Sequence, residues 1–178
     1  MEKIRNFFAK YEGWLIWPVL ILASAMRFFQ INDRDFWYDE AFTGIAVRER
    51  FHDMMAMIVN DVHPPLYYLT AKLFSSFFNY SVFGIRLFSA VFGVLGVWAI
   101  YLFTKELFDR RTALWASLII AISPFAIQYS QEARMYVMLV FLITIAAYFF
   151  MRALKTDQVG YFIWWGIFTG LACLTHYM

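Results

Sequence analysis

A run of acidic and aromatic residues follows the first long apolar segment of the chain, from Asp33 to Glu40. Within it, two adjacent carboxylates, Asp39 and Glu40, come directly after Trp37 and Tyr38. Carboxylates act as general acids or bases when a pocket holds them against a reacting group. The run therefore indicates the start of a catalytic pocket. A helix N-terminus beside an interfacial aromatic belt is the simpler alternative.

The composition indicates whether such a pocket would belong to a soluble protein or to a membrane protein. Of the 178 residues, 62% are hydrophobic and only 16% are charged, whereas a soluble domain carries about 25% charged residues. The apolar residues form long blocks, which predict an all-α membrane protein, a polytopic helical bundle. The formal net charge of +2 gives no support to a nucleic-acid partner.

Five apolar runs approach the roughly 20 residues that a spanning helix needs. They cover residues 14–31, 82–104, 112–129, 135–151 and 161–176. The first run contains Ala23-Ser24-Ala25, which resembles a signal-peptide cleavage site, but it continues through Phe28 and Phe29. This continuation favours a retained span over a cleaved signal peptide. The sequence thus predicts about five transmembrane helices.

The long segment 32–81 lies between the first two spans. It is predicted to carry two short surface helices, at 41–50 and 51–60, and a third helix at 66–79 after Pro64 and Pro65. The third helix would be ~21 Å long, too short to cross ~30 Å of hydrocarbon. Its apolar face is predicted from Leu66, Leu69, Leu73 and Phe77. We therefore expect an amphipathic helix along the outer membrane surface.

The basic loops predict the orientation of the chain. Loops 105–111 and 152–158 carry Lys and Arg, and so does the N-terminus. Because short basic loops stay inside, these segments are predicted to be cytoplasmic. Residues 32–81 and 130–134 are then outside, in a multi-pass protein of the cell membrane.

This topology gathers the polar side chains on the outer side. Ionisable groups near a membrane tend to face a cavity or a partner. A cavity open to lipid and to outer water suits a protein that joins a lipid-borne substrate to a soluble or exported one. The residues concerned are Asp39, Glu40, Asp61, His63, Arg86, Gln131, Glu132, Arg134 and Tyr136.

Five motifs, in this order, resemble the type-C glycosyltransferases, in the branch containing protein O-mannosyltransferases and the aminoarabinose transferase of lipid A. The motifs are Trp37-Tyr38-Asp39-Glu40, His63-Pro64-Pro65-Leu66-Tyr67-Tyr68, Arg86-Leu87-Phe88-Ser89, Ser123-Pro124-Phe125 and Gln131-Glu132-Ala133-Arg134-Met135-Tyr136. The resemblance implies an integral membrane enzyme that uses a sugar carried on a polyprenyl phosphate, with membrane lipid around it. The acceptor would be a protein, a lipid or a glycan.

The resemblance also implies roles for single residues. Asp39 would be the general base of an inverting single displacement, and Glu40 would share or orient its proton. The departing phosphate needs a cation, for which Arg134 is the first candidate, with Arg86 and Lys72 behind it. His63, Glu132 and Tyr136 complete the expected substrate-binding set.

A divalent metal is a further expectation from the resemblance, since one relative binds a metal through Glu and His near its site. The candidates here are His63, Glu132 and His176. Their spacing is not a metal-ligand motif. A turn-shaping role for His63 is the alternative.

Family members are usually much longer, so we expect residues 1–178 to be the N-terminal part of a truncated membrane domain. Two other function classes compete with an active enzyme. One is an inactive remnant or membrane scaffold, and the other is a small polytopic transporter whose charges would line a path.

Overall fold

A computed structural model describes residues 14–60 and 63–177 of the chain. These residues form nine α-helices and no strand, which confirms the predicted all-α fold. The helices are α1 (Ile16–Phe28), α2 (Tyr38–Ala46), α3 (Phe51–Val59), α4 (Leu66–Ser76), α5 (Val82–Leu107), α6 (Arg110–Ile122), α7 (Pro124–Gln131), α8 (Tyr136–Thr156) and α9 (Val159–Cys173).

Every predicted span contains helix, but the helices differ in length. Among the described residues, α5 and α8 are long and apolar enough to cross a membrane, at ~39 Å and ~32 Å. The α6–α7 pair reaches span length only if its two helices count as one bent span, and α1 and α9 are shorter apolar helices. A helical membrane protein is therefore confirmed, and the number of five spans stays a prediction.

The predicted third span, 112–129, is broken. Helices α6 and α7 meet at Ser123 and Pro124 with a bend of 59°. Proline lacks the amide hydrogen that would continue the helix and disfavours helical geometry at the residue before it. Ser123 is accordingly extended, and its hydroxyl accepts a hydrogen bond from the amide of Ala126 to cap α7.

Helix α5 forms the centre of the bundle and packs against α1, α4, α6, α7 and α8, while α9 packs on α8. Its buried positions include many small residues, among them Ser89, Ala90 and Gly93. Small side chains let neighbouring membrane helices approach closely. At Gly93 a Cβ atom would lie 2.3 Å from the Ser130 hydroxyl oxygen, so α5 and α7 touch at this point.

The segment 32–81 folds into α2, α3 and α4, as predicted, with shifted bounds. The predicted apolar face of α4 is only in part the face that packs against the rest of the protein. Tyr67, Tyr68, Ala71 and Ser75 are the buried residues, whereas Leu73 and Phe77 are exposed. Sequence periodicity finds an apolar face but does not tell whether protein or lipid covers it.

Charged residues gather at both ends of the bundle. At one end Glu106, from the last turn of α5, pairs with Arg152 at 3.4 Å and Lys155 at 3.3 Å, both from the last turns of α8. The first turns of α5 and α8 lie at the other end, together with α2. That end holds the candidate site.

Candidate active site

The first turn of α2 carries both predicted catalytic carboxylates. Successive residues of a helix point about 100° apart, so Asp39 and Glu40 face different surroundings. The Glu40 side chain is 2% exposed and the Asp39 side chain is 33% exposed. Acidic residues in a first helical turn are favoured by the helix dipole. The two neighbours are therefore separated into one buried and one accessible acid.

Glu40 forms a buried ion pair with Arg86. Its two carboxylate oxygens accept hydrogen bonds from Nε and Nη2 of Arg86, at 2.9 and 2.7 Å. Oε1 also accepts the backbone amide hydrogen of Ala133, at 2.8 Å. This bidentate geometry is the strongest form of carboxylate–guanidinium contact. Glu40 thus joins α2, α5 and the 132–135 loop.

Arg86 also fixes the backbone that leads into α2. Its Nη atoms donate to the carbonyl oxygens of Ile31, Arg34 and Asp35, at 3.0, 2.7 and 3.1 Å. The guanidinium carbon lies 5.1 Å from the centre of the Phe36 ring. Together with the Glu40 contacts, these hydrogen bonds occupy all three guanidinium nitrogens of Arg86. Arg86 therefore holds the 31–40 segment in place.

Asp39 and Arg134 form a looser contact. The Arg134 Nη2 lies 3.9 Å from Oδ2 of Asp39, and Nη1 donates to the Asp39 carbonyl oxygen at 3.2 Å. Arg134 is buried, yet its Nε has no hydrogen-bond partner among the described residues. A buried guanidinium with an unused donor is costly unless a ligand completes its contacts.

Arg134 remains a full positive charge in this environment. Burial by itself lowers the pKa of Arg134, but the nearby Tyr68, Tyr136 and Asp39 outweigh burial and raise it above its ordinary value. The backbone of the 132–135 loop is also fixed by α5. The Ser89 hydroxyl of α5 donates to the Arg134 carbonyl oxygen at 3.4 Å and lies 2.9 Å from the Tyr67 hydroxyl. The site therefore presents a fixed cation beside an accessible acid.

A cavity of about 640 Å³ lies over this pair, and we call it the Asp39 cavity. Its lining combines the acid and the cation with polar and aromatic neighbours: Tyr38, Asp39, Phe42, Met57, Asn60, His63, Arg134 and Tyr136. The volume falls within the roughly 300–1,000 Å³ range of small-molecule sites. Four of the predicted site residues meet here, namely Asp39, His63, Arg134 and Tyr136.

A second cavity, of about 430 Å³, shares the lining residue Tyr136 with the first, and we call it the Trp37 cavity. Glu40, Arg86 and Glu132 line it, together with Gln30, Ile31, Arg34, Asp35, Trp37, Gln128, Tyr129, Gln131 and Tyr136. The pKa of Glu132 is raised, first by burial and further by Glu40, against the lowering effects of Gln128, Arg134 and Arg86. Tyr136 is the one predicted site residue that borders both cavities.

Lys72 lines neither cavity. Its ammonium donates to the carbonyl oxygens of Val47 and Glu49, at 2.9 and 2.6 Å, and lies 5.2 Å from the centre of the Tyr80 ring. These carbonyl groups belong to the end of α2, where a cation offsets the helix dipole. Lys72 thus stabilises α2, the helix that carries Asp39, without lining the Asp39 cavity.

The residues expected to bind a metal do not meet in one cavity: His63 lines the Asp39 cavity, and His176 is not among the lining residues of either cavity. The rings of His63 and His176 lie 5.1 Å apart, centre to centre, whereas Glu132 borders the Trp37 cavity. Over residues 14–60 and 63–177, no group of three His, Cys, Asp or Glu side chains is placed to hold a metal ion. Asp61 lies outside the described residues. The described donors do not form a metal site.

Two residues join the broken helix to α1, and sequence reasoning missed the first of them. Arg27 is buried, and its guanidinium donates to the carbonyl oxygens of Ile120 and Ala121, which the break at Pro124 leaves without helical partners. Gln131 donates to the carbonyl oxygen of Phe29 at 2.8 Å. An arginine in the last turn of an apolar helix is the signal that could have revealed the first contact.

Fold and site together define a helical membrane protein with a buried ion pair, and with an accessible acid beside a buried cation, at one end of its bundle. The family model of dolichyl-phosphate-mannose-protein mannosyltransferases matches residues 62–178. The match covers more than half of the chain, and the protein belongs to this family. Membership implies glycosyltransferase activity with a polyprenyl-phosphate-linked sugar donor. No curated protein matches the chain significantly.

The family match confirms the resemblance to lipid-linked sugar transferases in its general form, while the branch stays a prediction. The matched range contains His63, Arg86, Glu132, Arg134 and Tyr136. Asp39 and Glu40 lie before it, so their roles depend on the geometry described above.

Proposed function

We propose that the protein transfers a sugar from a polyprenyl phosphate to a hydroxyl-bearing acceptor in the Asp39 cavity, with Asp39 as general base. The observation that carries the proposal is the shared position of the Asp39 carboxylate and the buried Arg134 guanidinium in one cavity. The reaction needs one group to accept a proton and one to receive a phosphate. This cavity offers one of each.

The proposed step is a single displacement. The acceptor hydroxyl gives its proton to the Asp39 carboxylate as its oxygen forms a bond to the anomeric carbon. The bond from that carbon to the phosphate oxygen breaks, and the electron pair leaves with the phosphate. The charge of the lipid phosphate is stabilised by Arg134, because a fixed guanidinium matches phosphate oxygens. The configuration at the anomeric carbon is therefore inverted.

Other predicted residues support the reacting pair. Glu40 and Arg86 position α2 and the 132–135 loop, since their contacts are with each other and with the backbone. Tyr136 borders the reacting groups and lies 5.9 Å from the Arg134 guanidinium carbon. His63 lines the same cavity, where its ring would contact the substrate. Glu132 serves the neighbouring cavity, and Lys72 stabilises the end of α2.

The reaction is proposed to occur on the outer face of the cell membrane. Support comes from the basic residues Arg152 and Lys155, which lie at the opposite end of α8 from the Asp39 cavity and would be cytoplasmic. The family description names a protein as acceptor, so a protein hydroxyl is the first acceptor to test, ahead of lipid or glycan. A transporter is less favoured because the charged clusters lie at the ends of the bundle.

The test is steady-state transfer by the membrane-embedded protein from polyprenyl-phosphate mannose to a Ser/Thr peptide. Asp39→Asn is expected to lower kcat by ~10²–10⁴-fold, the usual contribution of a general base, with little change in donor KM. Arg134→Ala is expected to raise donor KM, with partial recovery in Arg134→Lys. Asp33→Asn and Arg50→Ala, which change exposed residues outside both cavities, are the matched controls. An unchanged rate of transfer in Asp39→Asn would show that Asp39 is not the general base.

A further inference from the structure

The break between α6 and α7 determines where the chain goes after α7. Helix α7 has eight residues and is ~12 Å long, and it departs from the axis of α6 by 59°. Without that bend, the end of α7 would lie roughly 12 Å from its present position. Such a displacement is several times a hydrogen-bond distance. The bend therefore sets the position of Arg134, which follows α7 in the chain.

A buried cation from α1 contacts the break. Arg27 is 1% exposed, and its Nη atoms donate to the carbonyl oxygens of Ala121 and Ile120, at 3.1 and 3.2 Å. These carbonyls lie near the C-terminal end of α6, which is the negative end of its dipole. In the described part of the chain, the acceptors of Arg27 are all neutral oxygens. A buried charge of this kind is costly in a membrane protein and indicates a functional role.

Arg27 and the end of α1 also hold the far end of α7. The Nε atom of Arg27 donates to the Ser130 hydroxyl at 3.1 Å. The side-chain amide of Gln131 donates to the Phe29 carbonyl oxygen at 2.8 Å. At Gly93 of α5, a Cβ atom would lie 3.0 Å from Nε of Arg27, so the missing side chain leaves room for the contact. One guanidinium thus joins both halves of the broken helix to α1.

The loop that carries Arg134 begins where these contacts end. Gln131 is the last residue of α7, and Arg134 follows three positions later. The other side of the loop is held by Glu40, which accepts the Ala133 amide hydrogen at 2.8 Å. Because the loop is this short, a shift at the end of α7 is transmitted to the Arg134 guanidinium.

We propose that Arg27 is a positioning residue for the transfer reaction: it holds both halves of the broken helix against α1 and thereby fixes the Arg134 guanidinium at the lipid phosphate. The proposal rests on the proposed function, in which Arg134 receives that phosphate. Arg27 lines neither the Asp39 cavity nor the Trp37 cavity, so it acts through α7. Its loss should therefore change the KM for the donor and leave the KM for the acceptor unchanged.

The test is steady-state transfer by the membrane-embedded protein, with polyprenyl-phosphate mannose and a Ser/Thr peptide varied separately. In Arg27→Gln the donor KM is expected to rise about tenfold, because a displaced Arg134 loses a charge-assisted hydrogen bond to phosphate. Arg27→Lys should recover only part of this loss, since one ammonium cannot bond α6 and α7 together. Arg111→Gln changes an exposed arginine at the other end of α6 and is the matched control.

A double-mutant cycle separates positioning from a general structural role. If Arg27 acts through Arg134, Arg27→Gln adds nothing to the donor KM in the Arg134→Ala background. A protein that is merely destabilised has fewer active molecules, which lowers the apparent kcat in both backgrounds and leaves the donor KM unchanged. Independent effects on the donor KM in the double variant, or an unchanged donor KM in Arg27→Gln, overturn the inference.

Hydrogen–deuterium exchange tests the same inference without turnover. In Arg27→Gln, residues 124–135 should exchange faster, whereas residues 140–152 of α8 should exchange at the wild-type rate. A uniform increase along the chain, or no increase in residues 124–135, overturns the inference. If Arg27→Gln does not fold, Ser130→Ala and Gln131→Ala each remove one contact and should raise the donor KM severalfold. An unchanged donor KM in both variants has the same consequence as in Arg27→Gln.

These outcomes differ from a failure of the proposed function. An unchanged donor KM in Arg134→Ala would remove the phosphate role of Arg134 and, with it, this inference. A donor KM that is raised in Arg134→Ala but not in Arg27→Gln leaves the proposed function intact and overturns only the role of Arg27. Full transfer activity in Asp39→Asn would remove the general base without affecting the role of either arginine.

Discussion

Loss of the Glu40 carboxylate should be the most destabilising single change at the site end of the bundle. In Glu40→Ala, the Arg86 guanidinium loses two hydrogen bonds, at 2.9 and 2.7 Å, and the Ala133 amide loses one at 2.8 Å. Both side chains of the pair are at least 96% buried, so water cannot replace these contacts without opening the structure. The variant leaves a buried cation without its counter-ion.

The expected cost follows from this burial. Breaking a buried ion pair by removing one partner costs ~3–5 kcal/mol, and the orphaned amide is part of the same loss. For a chain of this length, each kcal/mol corresponds to ~2–4 °C in Tm. Glu40→Ala should therefore lower Tm by roughly 6–20 °C. Glu40→Gln retains the shape and one acceptor and should fall between Glu40→Ala and the wild type.

The assay is thermal unfolding of the purified chain in detergent, followed by tryptophan fluorescence. Glu49→Gln is the matched control, because it removes the same charge from an exposed residue just beyond α2, and we expect no measurable shift. Arg86→Lys should fail to substitute for arginine, since a single ammonium cannot reach Glu40 and the carbonyls of Ile31, Arg34 and Asp35 together. A Tm loss in Glu40→Ala no larger than that of Glu49→Gln would refute the buried-pair reasoning.

Two further predictions concern packing and pH. In Gly93→Ala the new Cβ would lie 2.3 Å from the Ser130 oxygen, and we expect a loss of ~1–3 kcal/mol from overpacking. At Gly96, about one turn away, a new Cβ would meet no atom of a neighbouring element within 4 Å, so Gly96→Ala should be neutral or stabilising in the same thermal assay. The raised pKa of Glu132 means that the folded state binds more protons than the unfolded state between the two pKa values, so stability falls as pH rises through that window. Glu132→Gln should therefore be more stable than the wild type above the window, and the gain should vanish below the ordinary pKa of 4.5.

Equal losses in Gly93→Ala and Gly96→Ala would show that α5 and α7 do not meet at Gly93. A stability gain in Glu132→Gln that is the same at every pH would mean that the titration of Glu132 does not contribute.

Sequence patterns predicted the helical elements well because long apolar runs and basic loops have simple physical causes. The helices α5 and α8 coincide closely with the predicted spans. The break at Pro124 was contained in the sequence, since proline cannot continue a helix. It was not predicted because the apolar run passes through it without interruption.

The site was predictable as a set of residues but not as a set of contacts. Asp39 and Glu40 are chemically similar neighbours, and only the rotation of α2 separates the accessible acid from the buried one. The partner of Glu40 is Arg86, 46 positions further along the chain, and no local pattern indicates that pairing. Lys72 was expected at the substrate because of its charge, whereas its contacts are with the carbonyl oxygens at the end of α2.

Residues of the recognised motifs form specific contacts or helix ends in the structure. His63 reaches the Asp39 cavity, and Tyr67, in the same motif, contacts Ser89 behind the Arg134 loop. The Ser123-Pro124 pair ends one helix and caps the next. These contacts explain why residue types could be recognised from sequence while their geometry could not.

The most direct test of the proposed mechanism is the rate of a single turnover with the donor already bound. Membrane-embedded protein is loaded with polyprenyl-phosphate mannose and mixed with excess acceptor peptide, which separates the chemical step from donor binding and product release. For Asp39→Asn the mechanism predicts a chemical rate at least ~10²-fold below that of the wild type, with unchanged donor occupancy and no loss in Asp33→Asn. A single-turnover rate for Asp39→Asn within a few fold of the wild type would contradict the assignment of Asp39 as the base.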